Sequence, residues 1–386
     1  MKFDKSNTRF PVKNELIYLA HGGISPLYSA AAQKAIELLT DQQYYGGQHF
    51  MKHYPVELEQ LKVNAGALMK TWPGNIAAVK NTSEALSMVA NGYPFEAGDE
   101  ILSFVHEYPA NHYPWRLQES RGVQLKLVPN IPGRPDIDPN LVGSWSMDAL
   151  EALITPRTRI IAISHVQFTS GYAANLKQLG ELCRDRGIDF IVDVAQSLGA
   201  MPVYPEEWNI SALATAGWKW LLGPFGIGIF YTSEAFRQKL AITAIGAETM
   251  VQGMDYLDHT WNPHPTAKRF EYSSSPISLV GALATCLREV HTQYAPEDML
   301  QEILHLQDVL LGKLDNPAFK PLRFDRENRS GILSLVCADP GLAAKELSKR
   351  GIVCTPRGGL LRIAPHFYNT DEEMIRVAEA LNGMEM

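Results

Sequence analysis

The stretch Ala216-Gly217-Trp218-Lys219-Trp220-Leu221-Leu222-Gly223-Pro224 lies downstream of Phe190-Ile191-Val192-Asp193-Val194. The second run is short, rich in β-branched residues and apolar without alternation, as expected of a strand covered on both faces. The first sets a lysine between two tryptophans, ahead of a glycine-rich turn and another apolar run at 227–231. Working outward, residues 76–79, 100–105, 123–128 and 160–164 read as further strands, with helical spacing at 83–90, 147–153 and 176–186. Strands interleaved with helices predict an α/β domain built on a mostly parallel sheet.

After residue 258 the pattern changes. Helical periodicity at 278–293 and 296–314 leads to a strand at 331–336, a helix at 340–350, a strand near 361–363 and a closing helix from Asp371. The expected organisation is a large domain over 27–258 and a smaller α+β domain made from 1–26 and 259–386. A chain of 386 residues exceeds what one core usually serves.

The net charge of -7 is spread along the chain, which argues against nucleic acid as a partner because no clustered basic face is present. Cys183, Cys286, Cys337 and Cys354 lie far apart, so neither a disulfide framework nor a zinc site is expected, and a reducing compartment suits them. The polar start MKFDKSNTRFPVKNE and the absence of 18 successive apolar residues predict no signal segment and no membrane span. A cytoplasmic enzyme is the expectation.

Polar residues cluster just after the strands, as Asn81-Thr82-Ser83, His106-Glu107-Tyr108, Ser164-His165-Val166 and Asp193-Val194-Ala195-Gln196. Ligands of open α/β sheets bind at those carboxyl ends. Lys219, in apolar company, would lose hydration of its charge and offer a neutral amine for Schiff-base chemistry. Snorkelling to solvent is the commoner fate of a lysine. Asp193 could pair with a buried cationic nitrogen such as a pyridinium, or simply cap the next helix. Thr82 and Ser83 open a helix whose free amides suit a phosphate. The plainer reading is that Asn81 and Glu84 form a capping box there.

The order of DVAQSLGA at 193–200, GWKWLLGPFGIGIFY at 217–231, SHVQFTSG at 164–171, RFEYSSSP at 269–276 and LRIAPHFYNTDEE at 361–373 resembles the class V aminotransferase superfamily. That group belongs to the fold-type I enzymes dependent on pyridoxal 5'-phosphate, and includes cysteine desulfurases and isopenicillin-N-epimerase-like proteins. The resemblance implies a mostly parallel seven-stranded sheet in the large domain. It makes Lys219 the Schiff-base lysine, Asp193 the partner of the pyridine nitrogen, Gln196 a donor to the ring hydroxyl and Tyr108 the stacked aromatic ring. Thr82 and Ser83 match the phosphate-binding pair, with His165 and Trp218 also at the cofactor. Ser274, or Ser275, matches the residue that reaches the other subunit's phosphate, which implies a homodimer. Arg362 matches the grip on the substrate carboxylate, with His21 and Arg357 beside it.

Departures from the family pattern are informative. Ala216 and Trp218 stand where many members carry a serine and a histidine, so Thr215 is a substitute phosphate contact. Phe168 replaces an asparagine. Desulfurases carry a nucleophilic cysteine on a long loop, whereas Cys354 here lies eight residues before Arg362 and reads as packing. The implied activity is aminotransferase-like or carbon–sulfur lyase-like on a small amino acid. Epimerisation and a desulfurase-like protein without the cysteine loop are the alternatives. A lapsed, regulatory cofactor-binding protein is opposed by the intact Lys219, Asp193 and Arg362. A nicotinamide dehydrogenase is opposed by glycines 223, 226 and 228, which precede a strand rather than open a helix.

Overall fold

The computed structural model describes residues 2–385. In chain order it forms β1 (Ile17–Tyr18), α1 (Ser29–Tyr45), α2 (Gly47–Met69), β2 (Ile76–Val79), α3 (Thr82–Gly92), β3 (Glu100–Phe104), α4 (Tyr113–Leu117), β4 (Gln124–Val128), α5 (Met147–Glu151), β5 (Thr158–Ser164) and α6 (Leu176–Arg186). Then come β6 (Asp189–Asp193), β7 (Ala212–Ala216), β8 (Gly228–Thr232), α7 (Glu234–Lys239), α8 (Ile277–Cys286) and α9 (Pro296–Lys313). The chain closes with β9 (Lys320–Pro321), β10 (Leu333–Val336), α10 (Pro340–Ser348), β11 (Ile352–Val353), β12 (Thr355–Arg357), β13 (Leu360–Ile363) and α11 (Asp371–Asn382).

Seven strands form the central sheet in the order β2-β8-β7-β6-β5-β3-β4, and β8 alone runs against its neighbours. The expected mostly parallel seven-stranded sheet is therefore observed. Phe190 and Val192 of β6 enter one apolar layer and Ile191 the other, which is why this strand lacks polar alternation. Only the edge strand β4 exposes side chains along much of its length.

A second, four-stranded antiparallel sheet, β12-β13-β10-β9, packs with α9, α10 and α11 around Leu306, Leu335, Leu361 and Val377. Strand β1 pairs in parallel with β11, so the first residues join this smaller unit. Helix α8, placed with the smaller domain on sequence pattern, packs instead on the large one. Its Val280 and Leu283 share a core with Leu38, Leu61 and Ile229. The apolar character of α8 on nearly all sides follows from that burial.

Candidate active site

Five carboxyl-end connections of the sheet converge on one cavity of about 430 Å³. Asn81, Thr82 and Ser83 enter from β2, Tyr108 from β3, Phe168 from β5, Asp193 and Gln196 from β6, and Trp218 and Lys219 from β7. Gly22, Gly23, Arg357 and Arg362 close it from the smaller unit. The cavity thus lies where the two units meet, at the strand ends where ligands of such sheets bind.

Lys219 is half-buried, and its Nζ lies 5.5 Å from the centroid of the Tyr108 ring. Burial, helped by the charges of Arg362 and Arg357, lowers its pKa to about 8 against the opposing pull of Asp193. Its loop is held tightly. Ser25 Oγ donates to the Lys219 carbonyl at 2.6 Å, and Leu222 takes a left-handed backbone with φ 58°. That conformation costs a non-glycine residue roughly 1–2 kcal/mol, and such costs concentrate at functional sites. Trp218 stacks on Phe225 at 5.1 Å.

Asp193 is buried, and its Oδ1 accepts a 2.8 Å bond from the Ala195 amide. Burial raises its pKa, and Lys219 opposes that rise. Gln196 accepts from Trp220 Nε1 at 3.1 Å and donates to the Gly22 carbonyl at 2.8 Å, which leaves one amide N–H unused. Arg362 is 2% exposed and donates through Nη1 to the Phe168 carbonyl at 2.6 Å. Its Nε has no partner, and no carboxylate lies within ion-pair distance of it among the described residues. Burial, with Arg357 nearby, lowers its pKa to about 10. A buried guanidinium without a counter-charge costs stability, so a ligand anion is the natural partner.

At the start of α3, Asn81 Oδ1 accepts from the Glu84 amide at 2.9 Å, while Glu84 reaches the Lys80 amide rather than closing a capping box on Asn81. The Thr82 hydroxyl is buried without a partner, and the Thr82 and Ser83 amides precede the helix's first carbonyl-paired turn. These orphaned donors fit a phosphate. With the Asp193 carboxylate and the Lys219 amine in the same cavity, the set fits pyridoxal phosphate as a whole.

Several predicted residues stand elsewhere. His21 is buried behind Gly22, its ring nitrogens bonded to the Ala364 carbonyl at 2.7 Å and Tyr368 Oη at 2.6 Å. His165 is buried edge-on to Trp208, and burial drives its pKa down to about 3. Neither lines the cavity: the His21 ring is tied by its two bonds to residues 364 and 368, and His165 turns onto Trp208. Thr215 is fully buried in β7 and bonds the Ala216 carbonyl, so it offers no phosphate contact. Ser274 is exposed and lines a separate cavity of about 220 Å³ with Lys80, Gly226 and Tyr272. Cys354 packs against the smaller core, with burial raising its pKa to about 12, and no cysteine among the described residues lines the main cavity.

Glu107 has no role that the sequence motifs reveal, and the structure supplies one. It is buried and accepts from the Ser164 amide at 2.8 Å and Gln167 Nε2 at 3.2 Å, with Ser164 Oγ also bonded to it. Ser164 pairs with Asp193 across β5 and β6. Glu107 therefore clamps the loop carrying Tyr108 to the strand ends that carry Asp193. Burial, with the nearby Asp193 charge, raises its pKa to about 7.

Residues 17–374 match the family described as Aminotransferase class-V. A probable cysteine desulfurase of Methanothermobacter thermautotrophicus is 24% identical, covering 84% of this chain and 83% of its own. The isopenicillin N epimerase of Streptomyces clavuligerus is 27% identical, covering 86% of each chain. The solved complex of the cystine C–S lyase C-DES with its product cysteine persulfide superposes with a TM-score of 0.86 at 21% identity, covering 97% of this chain and 99% of that one.

Proposed function

Because the chain belongs to the class V aminotransferase family of pyridoxal-phosphate enzymes, we propose that it acts at the α-carbon of a small amino acid and cleaves a β-carbon–sulfur bond. The observation that carries the amino-acid assignment is Arg362, a buried cation facing the cavity of Lys219 with no acidic partner. Its planar fork suits a carboxylate held at two points. The choice of carbon–sulfur cleavage is supported by the desulfurase relative and the C–S lyase fold. The missing cavity cysteine favours elimination over persulfide transfer to the protein.

Pyridoxal phosphate, when bound, supplies an aldehyde that condenses with amines and a pyridinium ring that draws electrons from the α-carbon. Thr82 and Ser83 would hold its phosphate, Asp193 would keep its ring nitrogen protonated, Gln196 would donate to its hydroxyl and Tyr108 would cover its face. Arg362 and Arg357 orient the substrate carboxylate. The Lys219 amine removes the α-proton as general base, and the β-carbon–sulfur bond breaks with the electron pair leaving on sulfur. Ser274 serves the partner's site in a homodimer, a reading that its exposure on a separate cavity supports. Among the described residues no helix is long and apolar enough to cross a membrane, and a cytoplasmic location is part of the same proposal.

Incubating the holoenzyme with L-cystine tests the reaction. Stoichiometric pyruvate, ammonia and persulfide sulfur are expected without an added keto acid. An absolute requirement for a keto acid assigns transamination instead, and inversion at the α-carbon without sulfur release assigns epimerisation.

A further inference from the structure

Helices α1 and α2 meet at the Gly46-Gly47 junction, and neither helix lends a residue to the cavity of Lys219. Asp41 near the end of α1, and His49 and His53 on α2, each offer one ligand atom, all within 4.8 Å of one another. Asp41 Oδ2 lies 3.7 Å from His49 Nδ1 and 3.9 Å from His53 Nε2. The two imidazoles stack at 4.6 Å, as residues one helical turn apart can. The His49 side chain is 1% exposed, and neither of its ring nitrogens has a hydrogen-bond partner. A buried imidazole left so is costly unless something else satisfies it.

We propose that Asp41, His49 and His53 bind one divalent transition-metal ion, with zinc the best fit. Ligand bonds of about 2.0–2.2 Å in a tetrahedral site put donor atoms roughly 3.3–3.5 Å apart. The two spacings to Asp41 need to contract by a few tenths of an ångström, and the spacing between the two imidazole donors, within 4.8 Å, by up to roughly 1.5 Å, within reach of a turn of the His53 side chain. Two imidazoles and one carboxylate favour zinc, cobalt, nickel or copper over magnesium and calcium. The partial exposure of His53 and Asp41 leaves room for water at a fourth position. The sequence reading expects no metal site, zinc included, and the proposal departs from that expectation because helix packing brings together ligands that lie on two different helices. The ion would join α1 to α2 directly before Tyr54, whose hydroxyl accepts from the Ser275 amide at 3.0 Å. It would thus steady the helix that holds the 273–275 segment.

The test uses untagged holoenzyme freed of metal by a chelator and titrated with zinc chloride against a chromophoric competitor. Cobalt chloride reports ligand geometry by its visible bands. Because His49 is buried and its variants risk misfolding, Asp41→Asn and His53→Gln are the informative changes. One zinc per chain is expected, with a tetrahedral cobalt spectrum and a higher thermal midpoint on loading. Each variant should lose at least roughly 100-fold in affinity, the upper end of what even indirect ligand support is worth. Its metal-free midpoint and cofactor absorbance should stay unchanged. Absence of stoichiometric zinc in the parent protein, or a loss under tenfold in both variants, overturns the site.

Discussion

Lys219 Nζ sits 5.5 Å from the centre of the Tyr108 ring, although the two residues leave different strands of the sheet. In the proposed function the ring covers the position from which the amine reaches a cofactor aldehyde. Flatness, rather than the phenol hydroxyl, is what that position uses. Tyr108→Phe should keep cofactor affinity within a few-fold, and Tyr108→Ala should weaken it roughly tenfold, the scale of one aromatic contact. Equilibrium dialysis of pyridoxal phosphate separates the two. Equal losses in both variants contradict the stacking role.

The lowered pKa of Lys219, about 8, has a kinetic signature. Below that pH the amine is protonated and cannot attack an aldehyde, so capture of pyridoxal phosphate by the apoprotein should slow about tenfold per pH unit. Above it the rate should level off. Stopped-flow absorbance gives the profile. A midpoint near 10.5, the ordinary lysine value, means the amine is not dehydrated as the cavity implies.

Arg362 predicts a split between activity and stability. Arg362→Met removes the proposed carboxylate grip, and kcat/KM for an amino acid should fall roughly 100-fold, the equivalent of about 3 kcal/mol for a charge-assisted pair. The same change removes a buried, unpaired charge, so the thermal midpoint should hold or rise. A falling midpoint with near-normal kinetics assigns Arg362 to structure alone.

Glu107 makes stability depend on pH. Its carboxyl is held above the usual range, at about 7 rather than 4.5, so between those pH values the folded state keeps a proton that the unfolded state has lost. Stability therefore falls as pH rises through that window, by on the order of 3 kcal/mol, and levels off above it. Glu107→Gln keeps the acceptor for the Ser164 amide but cannot ionise. Denaturant melts should show the variant gaining on the parent protein from pH 4.5 to 7. A constant difference across that range disproves the raised pKa.

Most of the fold and much of the site were legible in the sequence. The fully covered strands betray themselves by unbroken apolar runs, and Lys219, Asp193, Tyr108 and Arg362 stand in motifs with an order of their own. Strand β7 escaped because Ala212, Ala214 and Ala216 carry little β preference, and the sheet supplies what the residues lack. Residues 29–69 show no clear period, since the glycine pair 46–47 and Pro55 interrupt the helical pattern that α1 and α2 nonetheless adopt. His21 and His165 sit in the right loops with side chains turned into the protein, and chain order carries no record of that direction. The isolation of the Arg362 charge and the Glu107 clamp depend on partners 194 and 57 residues away, a separation that motif reading does not bridge.

The proposed chemistry rests on a covalent bond between Lys219 and the cofactor. Reducing the pyridoxal-phosphate-loaded protein with borohydride and mapping its peptides should place a single phosphopyridoxyl group on Lys219. Lys219→Ala should carry no label and have no turnover. A label on any other lysine, or full activity in the alanine variant, contradicts the account.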